Sequence, residues 1–578
     1  MTFTHLHVAS AFSGHYGVTR PELLAEAAAA RAERALAITD RNGLYGAIKH
    51  IGACLKLGLT PIVGVSLNIL NNQDEPLARC VILAHGGDGG IGWSALCRLV
   101  SEANKTKRKE AGIRLEKLAK HVDRDGLTVA TVLLGPDSNF GRAALTEDRT
   151  TAAGILIQWL KALPGKGALA VEIATHLTEP GTAYSLTQAR RMLQLADNIG
   201  VPTILTNAVR YLTPDDALTA DVLDAARHLE PLGNFEPQPN AQGWLKPARM
   251  MQKLAEEITE DRARAKKLLD TTELLAQKCE LNPEKDCGWG KPKTPEKALL
   301  GIDGNPFEVL WQKAHTAIDW RYPHAKEKKL LDVKHRLSKE LITINQLGFA
   351  TYFLTVADVA QMIRDMRIRI AARGSGAGSL TNYLLGISGV DPIEHDLLFE
   401  RFLSTERSSL PDIDIDVESA RRHDIYRAIF KRYGSERVTL LSMQSTYRGR
   451  GAMRDSGLAL GLDEEEIDEI AKNMWRFSAR KFRDAAESKP ELAKLNAALE
   501  SDRKLNLLVD ITERLDRLPR HISMHPCGVI LGDLTLPLLT PVEPSGMGLP
   551  MSQFDKDDMD PMGFLKLDVL GVRMQSTM

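Results

Sequence analysis

Three aspartates recur at every second position in the run Ser408-Ser-Leu-Pro-Asp-Ile-Asp-Ile-Asp-Val417. In an extended strand successive side chains alternate faces, so Asp412, Asp414 and Asp416 are expected to project from one side. Pro411, Ile413, Ile415 and Val417 then occupy the apolar side. Like charges crowded on one face repel, and a cation is the natural means of neutralising them. Oxygen-only ligands suit Mg²⁺, which takes one or two carboxylates together with substrate phosphates and water. Two such ions about 3.5–4 Å apart serve in-line phosphoryl or nucleotidyl transfer. A calcium loop counted from Asp412 would need Gly at its sixth position and Glu at its twelfth. Those positions hold Val417 and His423, so that reading fails.

Two further segments supply chemistry. Downstream, Phe-Leu-Lys-Leu-Asp-Val-Leu-Gly (564–571) alternates as a strand whose charges are Lys566 and Asp568. Charge on an otherwise buried strand calls for a partner, and a third carboxylate on a neighbouring strand would complete a metal pair. Upstream, Arg373-Gly-Ser-Gly-Ala-Gly-Ser379 lies between a strand and a helix, where backbone N–H groups and the helix dipole favour an anion. It lacks the Gly-Lys-Ser/Thr ending of a phosphate-binding P-loop. It also has Ser379 where a dinucleotide fingerprint needs its third glycine.

The elements that must position these groups belong to a chain of 578 residues, too long for one core. Its 43% hydrophobic and 26% charged content are those of a globular protein. The start, MTFTHLHVAS, carries no signal peptide, and no apolar run reaches membrane-spanning length; a cytoplasmic location is expected. Six scattered cysteines without a CxxC pair exclude a zinc ribbon and a disulfide scaffold. Net charge is −1, yet Arg421, Arg422, Arg427, Lys431, Arg432, Arg437, Arg448, Arg450 and Arg454 cluster just after the carboxylates. A second cluster follows at Arg476, Arg480, Lys481 and Arg483. Placed there, these runs point to phosphate contacts.

To about residue 280, strand-like and helix-like pieces alternate, predicting a parallel α/β domain, as in a barrel. Leu281–Lys297, rich in Pro and Lys, reads as a linker. Helical periodicity follows through 309–366, then a strand, the glycine turn and the carboxylate strand. From 446 to 518 the pattern is helical and charged, and the tail returns to strand alternation. A helical insert between two halves of one α/β unit is the economical arrangement.

Arg373–Leu380 (RGSGAGSL), GISGVDPIEHDLLFERFLSTER, PDIDID and FLKLDVLGVR, in that order, resemble the palm of the bacterial C-family DNA polymerases, the family of the DNA polymerase III alpha subunit. The resemblance implies a multidomain α/β fold: a PHP-type barrel over 1–280, a nucleotidyltransferase-like palm over 281–445 and 519–578, and an inserted thumb over 446–518. It assigns metal binding to Asp412, Asp414 and Asp568. It places Gly374 and Ser375 on the glycine-serine pair at the incoming triphosphate, with Arg401, Arg407 and Lys566 as basic positions nearby. Asp416 takes a structural or electrostatic role. Arg448, Arg450 and Arg454 are expected to grip DNA backbone. His521 and His525 look like a metal pair at i, i+4, though packing or template contact is the reading favoured for them.

The first domain resembles the polymerase-and-histidinol-phosphatase (PHP) domain, with departures. Ala9 stands where a second ligand belongs, the TDH motif reads Thr39-Asp40-Arg41, Ser66 replaces a glutamate, and the late motif reads Asn207-Ala208-Val209-Arg210-Tyr211. Each loss removes a ligand, so no metal cluster and no proofreading are expected there. The expected activity is addition of dNTPs to a primer 3′-hydroxyl with two Mg²⁺ ions at the palm, on primer-template DNA. A sliding clamp and other replisome subunits are the partners in full-length family members. No membrane is involved. The chain stops before the fingers, and alone it is expected to polymerise weakly or not at all. The degraded first domain suggests an accessory paralogue of error-prone type. Alternatives are a non-catalytic DNA-binding fragment and a PHP-type phosphoesterase.

Overall fold

A computed structural model describes residues 2–105, 110–146, 148–404, 410–473, 483 and 502–573. The chain forms two compact units, Met1–Asp286 with Gln444–Ile522, and Cys287–Met443 with Ser523–Met578.

The first unit is built on a seven-stranded sheet. Its strands are β1 (Ala35–Ile38), β2 (Thr60–Leu70), β3 (Pro76–Ala84), β4 (Gly112–Arg114), β7 (Ala130–Leu134), β8 (Leu169–Ile173) and β9 (Thr203–Leu205). A small hairpin, β5 (Asp123–Arg124) with β6 (Leu127–Thr128), stands apart. The order is β1-β2-β3-β7-β8-β9, with β4 on β2. Alternate residues feed opposite layers: Ala35 and Ala37 join Ile62, Leu133 and Ile204, while Leu36 joins Leu24, Ala28 and Cys54. Burial on both faces explains the continuous apolar runs.

The expectation of a parallel sheet holds for β1/β2, β7/β8 and β8/β9 but not for β3, which runs antiparallel to both β2 and β7. Only Asn71–Glu75 join β2 to β3, closed by Asn71 N–H to the Glu75 carbonyl at 2.9 Å. So short a connection makes a hairpin and cannot make a parallel crossover. The segment His5–Ala9 bonds to β1 on one side (Ala37 N–H to His5, 3.1 Å) and to Val209 on the other (Val209 N–H to His7, 3.0 Å).

Helices Gly449–Ala459 and Arg503–Leu515, from the insert, share a core with helix Ala217–His228. Ala452, Ala459, Ile511 and Leu515 pack with Ala220, Leu223, Ala225 and Tyr211. These two helices of the insert thus pack against helix Ala217–His228 of their own unit. The division between the two units, at Asp286 and Cys287, falls inside the expected linker, whose first residues are packed. Leu281 and Cys287 are buried, and the Asp286 carboxylate accepts from the N–H groups of Gly87 (2.8 Å), Gly89 (3.1 Å) and Asn282 (2.8 Å).

The second unit holds a sheet in the order β10-β11-β16-β13-β12-β15-β14. These strands are β10 (Ile370–Arg373), β11 (Ile413–Glu418), β12 (Val438–Thr446), β13 (Pro519–Leu531), β14 (Val542–Pro544), β15 (Pro550–Asp555) and β16 (Leu565–Val572). Helices Pro306–Arg321, Glu327–Gln346, Ala350–Asp365 and Arg422–Tyr433 accompany it. Register partners 154 residues apart in the chain, such as Ile413 and Leu567, thus lie on neighbouring strands, and β11 lies between β10 and β16.

Candidate active site

Along β11 burial alternates strictly: Ile413, Ile415 and Val417 are fully buried, and the acids between them are partly exposed. Parallel pairing with β16 sets Asp414 directly opposite Asp568. One carboxylate oxygen from each of Asp412, Asp414 and Asp568 lies within 4.8 Å of the others. Lys566, two residues before Asp568 and so on its face, donates from Nζ to Asp412 Oδ2 (2.7 Å) and Asp568 Oδ2 (2.9 Å). Tyr352 donates its hydroxyl to the Lys566 carbonyl at 2.8 Å.

The cluster is under electrostatic stress. Burial, then the charges of Asp412 and Asp568, push the Asp414 carboxyl up to about 6, against the opposing pull of Lys566 and Arg373. Asp412 Oδ1 and Asp568 Oδ1 are buried without a hydrogen-bond partner. Buried orphan oxygens on converging carboxylates are the chemistry a divalent cation satisfies, so these residues fit a metal ion. Asp416 is drawn aside by Arg373, whose Nε lies 3.3 Å from its Oδ1. Arg373 as that counter-charge follows only from the β10–β11 pairing, which motif reading does not supply.

The glycine turn folds as a short 3₁₀ segment, Gly374–Gly378. Gly374 has φ of +70°, and a Cβ there would stand 2.9 Å from Asp414 Oδ2, so the turn lies directly against the carboxylates. The helix after it, Leu380–Leu384, does not offer a free N-terminus to an anion. Buried Glu340 fills that position. It accepts from the N–H groups of Leu380 and Thr381 (both 2.9 Å) and from the hydroxyls of Ser379 and Thr381 (both 3.0 Å). Arg336 holds it at 3.1 Å. The protein thus supplies its own anion to the helix dipole, and Ser375 lies on the exposed part of the turn.

Arg401 ends a 3₁₀ turn, Phe399–Arg401, that packs against the glycine turn. Arg407 lies outside the described residues, as do Arg476, Arg480 and Lys481. Arg448 and Arg450 are exposed at the start of helix Gly449–Ala459, whereas Arg454 is paired with Asp468 at 2.5 Å. His521 and His525 stand on strand β13, not on a helix. Four residues of strand separate them by about 13 Å, so they cannot share one ion.

In the first unit, the positions that depart from the PHP pattern are filled by side chains. The Tyr16 ring is sandwiched between the guanidinium groups of Arg41 (3.3 Å) and Arg210 (3.9 Å). Arg210 pairs with Asp224 at 3.0 Å, and His7 Nδ1 meets Glu172 at 2.6 Å. Asp40 accepts from Ser10 N–H (2.7 Å) and Ser13 Oγ (2.8 Å). The space lined by His7, Tyr16, Arg41, Arg79 and Glu172 is about 20 Å³, roughly enough for one water. Tyr16, the ring that organises both arginines, carries no signal in the sequence.

Comparison with known proteins places both halves. The family model for the bacterial DNA polymerase III alpha NTPase domain matches residues 308–571, and that for the PHP domain matches 5–176. The chain is 31% identical over 599 residues to an error-prone DNA polymerase of Symbiobacterium thermophilum, covering 99% of this chain and 51% of that protein. It is 30% identical over 581 residues to an error-prone DNA polymerase of Pseudomonas fluorescens, covering 99% and 51%. It is also 30% identical over 583 residues to error-prone DNA polymerase 1 of Agrobacterium fabrum, covering 100% and 49%. The chain spans about half the length of these relatives. Among the described residues no helix is long and apolar enough to cross a membrane. These matches run in the same order as the two folded regions: the chain is similar along nearly its whole length to error-prone DNA polymerases, with a PHP-domain match followed by a match to the bacterial DNA polymerase III alpha NTPase domain.

Proposed function

We propose that the chain supplies the palm, thumb and PHP-type barrel of a template-directed DNA polymerase of the error-prone kind, acting in replication or damage-tolerant synthesis. The observation that carries this reading is the convergence of Asp412, Asp414 and Asp568 beside the glycine turn. In the reaction a primer 3′-hydroxyl attacks the α-phosphate of a dNTP and pyrophosphate leaves. Asp412, Asp414 and Asp568 would hold two Mg²⁺ ions, which when bound activate the hydroxyl and stabilise charge on the phosphates. Gly374 and Ser375 would line the triphosphate with exposed amides and a hydroxyl, and Lys566, Arg401 and Arg407 would balance its charge. Arg448 and Arg450 would hold duplex backbone without reading sequence. In the proposed barrel, the Arg41–Tyr16–Arg210 stack occupies the ligand positions and supports a structural role over a phosphoesterase. The location proposed is cytoplasmic, with primer-template DNA, dNTPs, a sliding clamp and other replisome subunits as partners.

The test is dNTP incorporation on a primer-template when this chain is combined with the remaining half of a full-length relative. Incorporation should require Asp412 and Asp414, whose alanine variants still bind DNA. Undiminished incorporation by either variant would refute the assignment.

A further inference from the structure

Lys566 occupies an unusual place for a substrate-binding lysine. Its ammonium lies between two of the three carboxylates, 2.7 Å from Asp412 and 2.9 Å from Asp568, and its side chain is only 13% exposed. The backbone beneath it is pinned by Tyr352, so the freedom that remains is in the four-carbon stem. The ammonium takes one oxygen from Asp412 and one from Asp568, leaving the second oxygen of each buried and unpartnered. It therefore satisfies the cluster in part.

A cation held by these same carboxylates would compete with the ammonium for their oxygens, and like charges repel strongly in a partly buried site. Both cannot keep their places. A lysine is a point charge on a flexible stem with no acceptor of its own, so it can rotate out. It is then stable only where it meets another anion, and the anion brought to a polymerase palm is a triphosphate.

We propose, resting on the polymerase reading above, that Lys566 is a place-holding counter-ion. It neutralises the carboxylates in the free protein, opposes divalent binding there, and withdraws from Asp412 and Asp568 when nucleotide offers it a new partner. The geometry thereby couples metal entry to nucleotide entry and keeps the free site from binding divalent ions tightly.

The experiment measures Mn²⁺ binding to the nucleotide-free chain by the electron paramagnetic resonance of the unbound ion, for the native protein and for Lys566→Met and Lys566→Arg. Loss of the ammonium should tighten Mn²⁺ binding about tenfold or more, whereas the charge-conserving Lys566→Arg should bind no more tightly than the native chain. A parallel melting series reads folding. Lys566→Met should melt lower than the native chain in chelator and gain more from 1 mM Mn²⁺. Equal or weaker Mn²⁺ binding by folded Lys566→Met overturns the counter-ion role while leaving the metal-site reading intact. Failure of all three proteins to bind Mn²⁺, or tight binding that survives Asp568→Asn in the Lys566→Met background, overturns the metal-site reading and the counter-ion role with it.

Discussion

Asp414 and Asp568 stand opposite each other as register partners of two parallel strands, separated in sequence by a stretch that contains the whole helical insert. Neighbouring strands lie about 4.8 Å apart, so backbone hydrogen bonding, and no attraction between side chains, brings these two acids together.

Removing one of those charges should stabilise the fold while abolishing its chemistry. Asp414→Asn relieves the burial of a charge, and its repulsion by Asp412 and Asp568, which together push this carboxyl up to about 6. The variant is expected to melt a few degrees higher in chelator, for a gain of about 1 kcal/mol. It should also lose Mn²⁺-dependent stabilisation. A lower melting point in chelator would contradict the account of the cluster as strained.

Glu340 makes the opposite case. Its carboxylate closes the N-terminus of helix Leu380–Leu384 with four hydrogen bonds and an arginine. Truncation to alanine strands those buried donors together with Arg336, at a cost of about 3 kcal/mol or more. Glu340→Gln, keeping the shape, should cost less. Chemical denaturation of both variants checks the order.

Gly374→Ala sets a methyl group 2.9 Å from an Asp414 oxygen at a φ of +70°. Strain of about 1–2 kcal/mol is expected, along with weaker Mn²⁺ binding from the displaced carboxylate. Gly304→Ala, where a Cβ meets nothing within 4 Å, is the control. Equal behaviour of the two variants in Mn²⁺ titration would dissociate the turn from the site.

Acid should weaken the first unit. Burial holds His5, His50, His85 and His176 down near 4. Between about 4 and 6.5 the unfolded chain binds protons that these folded histidines refuse, so stability is full above 6.5 and lost as pH falls. Asp40, pushed up to about 6, and Glu33, pushed up to about 7, act in the opposite sense. Four histidines outweigh two acids, and melting at pH 5 is expected on the order of 5 °C below that at pH 7. His50→Asn should flatten this acid limb; an unchanged pH profile would remove the buried histidines as its cause.

The carboxylate strand was legible because period-two alternation makes a spatial statement from a single segment, and Ile413, Ile415 and Val417 did turn inward. The antiparallel β3 was legible too, in the five-residue join after Leu70, but the helix-strand rhythm around it argued for parallel pairing. His521 and His525 show the limit of spacing: i, i+4 brings groups together on a helix and separates them on a strand. Glu340 and Tyr16 could not have been found. Their partners at Ser379–Thr381 and Arg210 lie 39–41 and 194 residues away; the local sign at Glu340 is its i, i+4 spacing from Arg336, which marks an ion pair and not a helix cap.

Helices from the insert rest on Ala220, Leu223 and Ala225, and that contact constrains how the amino-terminal region can change over time. The Arg210–Asp224 pair ties the pocket to the helix that bears these three residues, Ala217–His228. The surface itself is not free, because deleting the region would leave Ala452, Ile511 and Leu515 facing water. By this contact the region serves the fold of its own unit, keeping an apolar face of the insert covered.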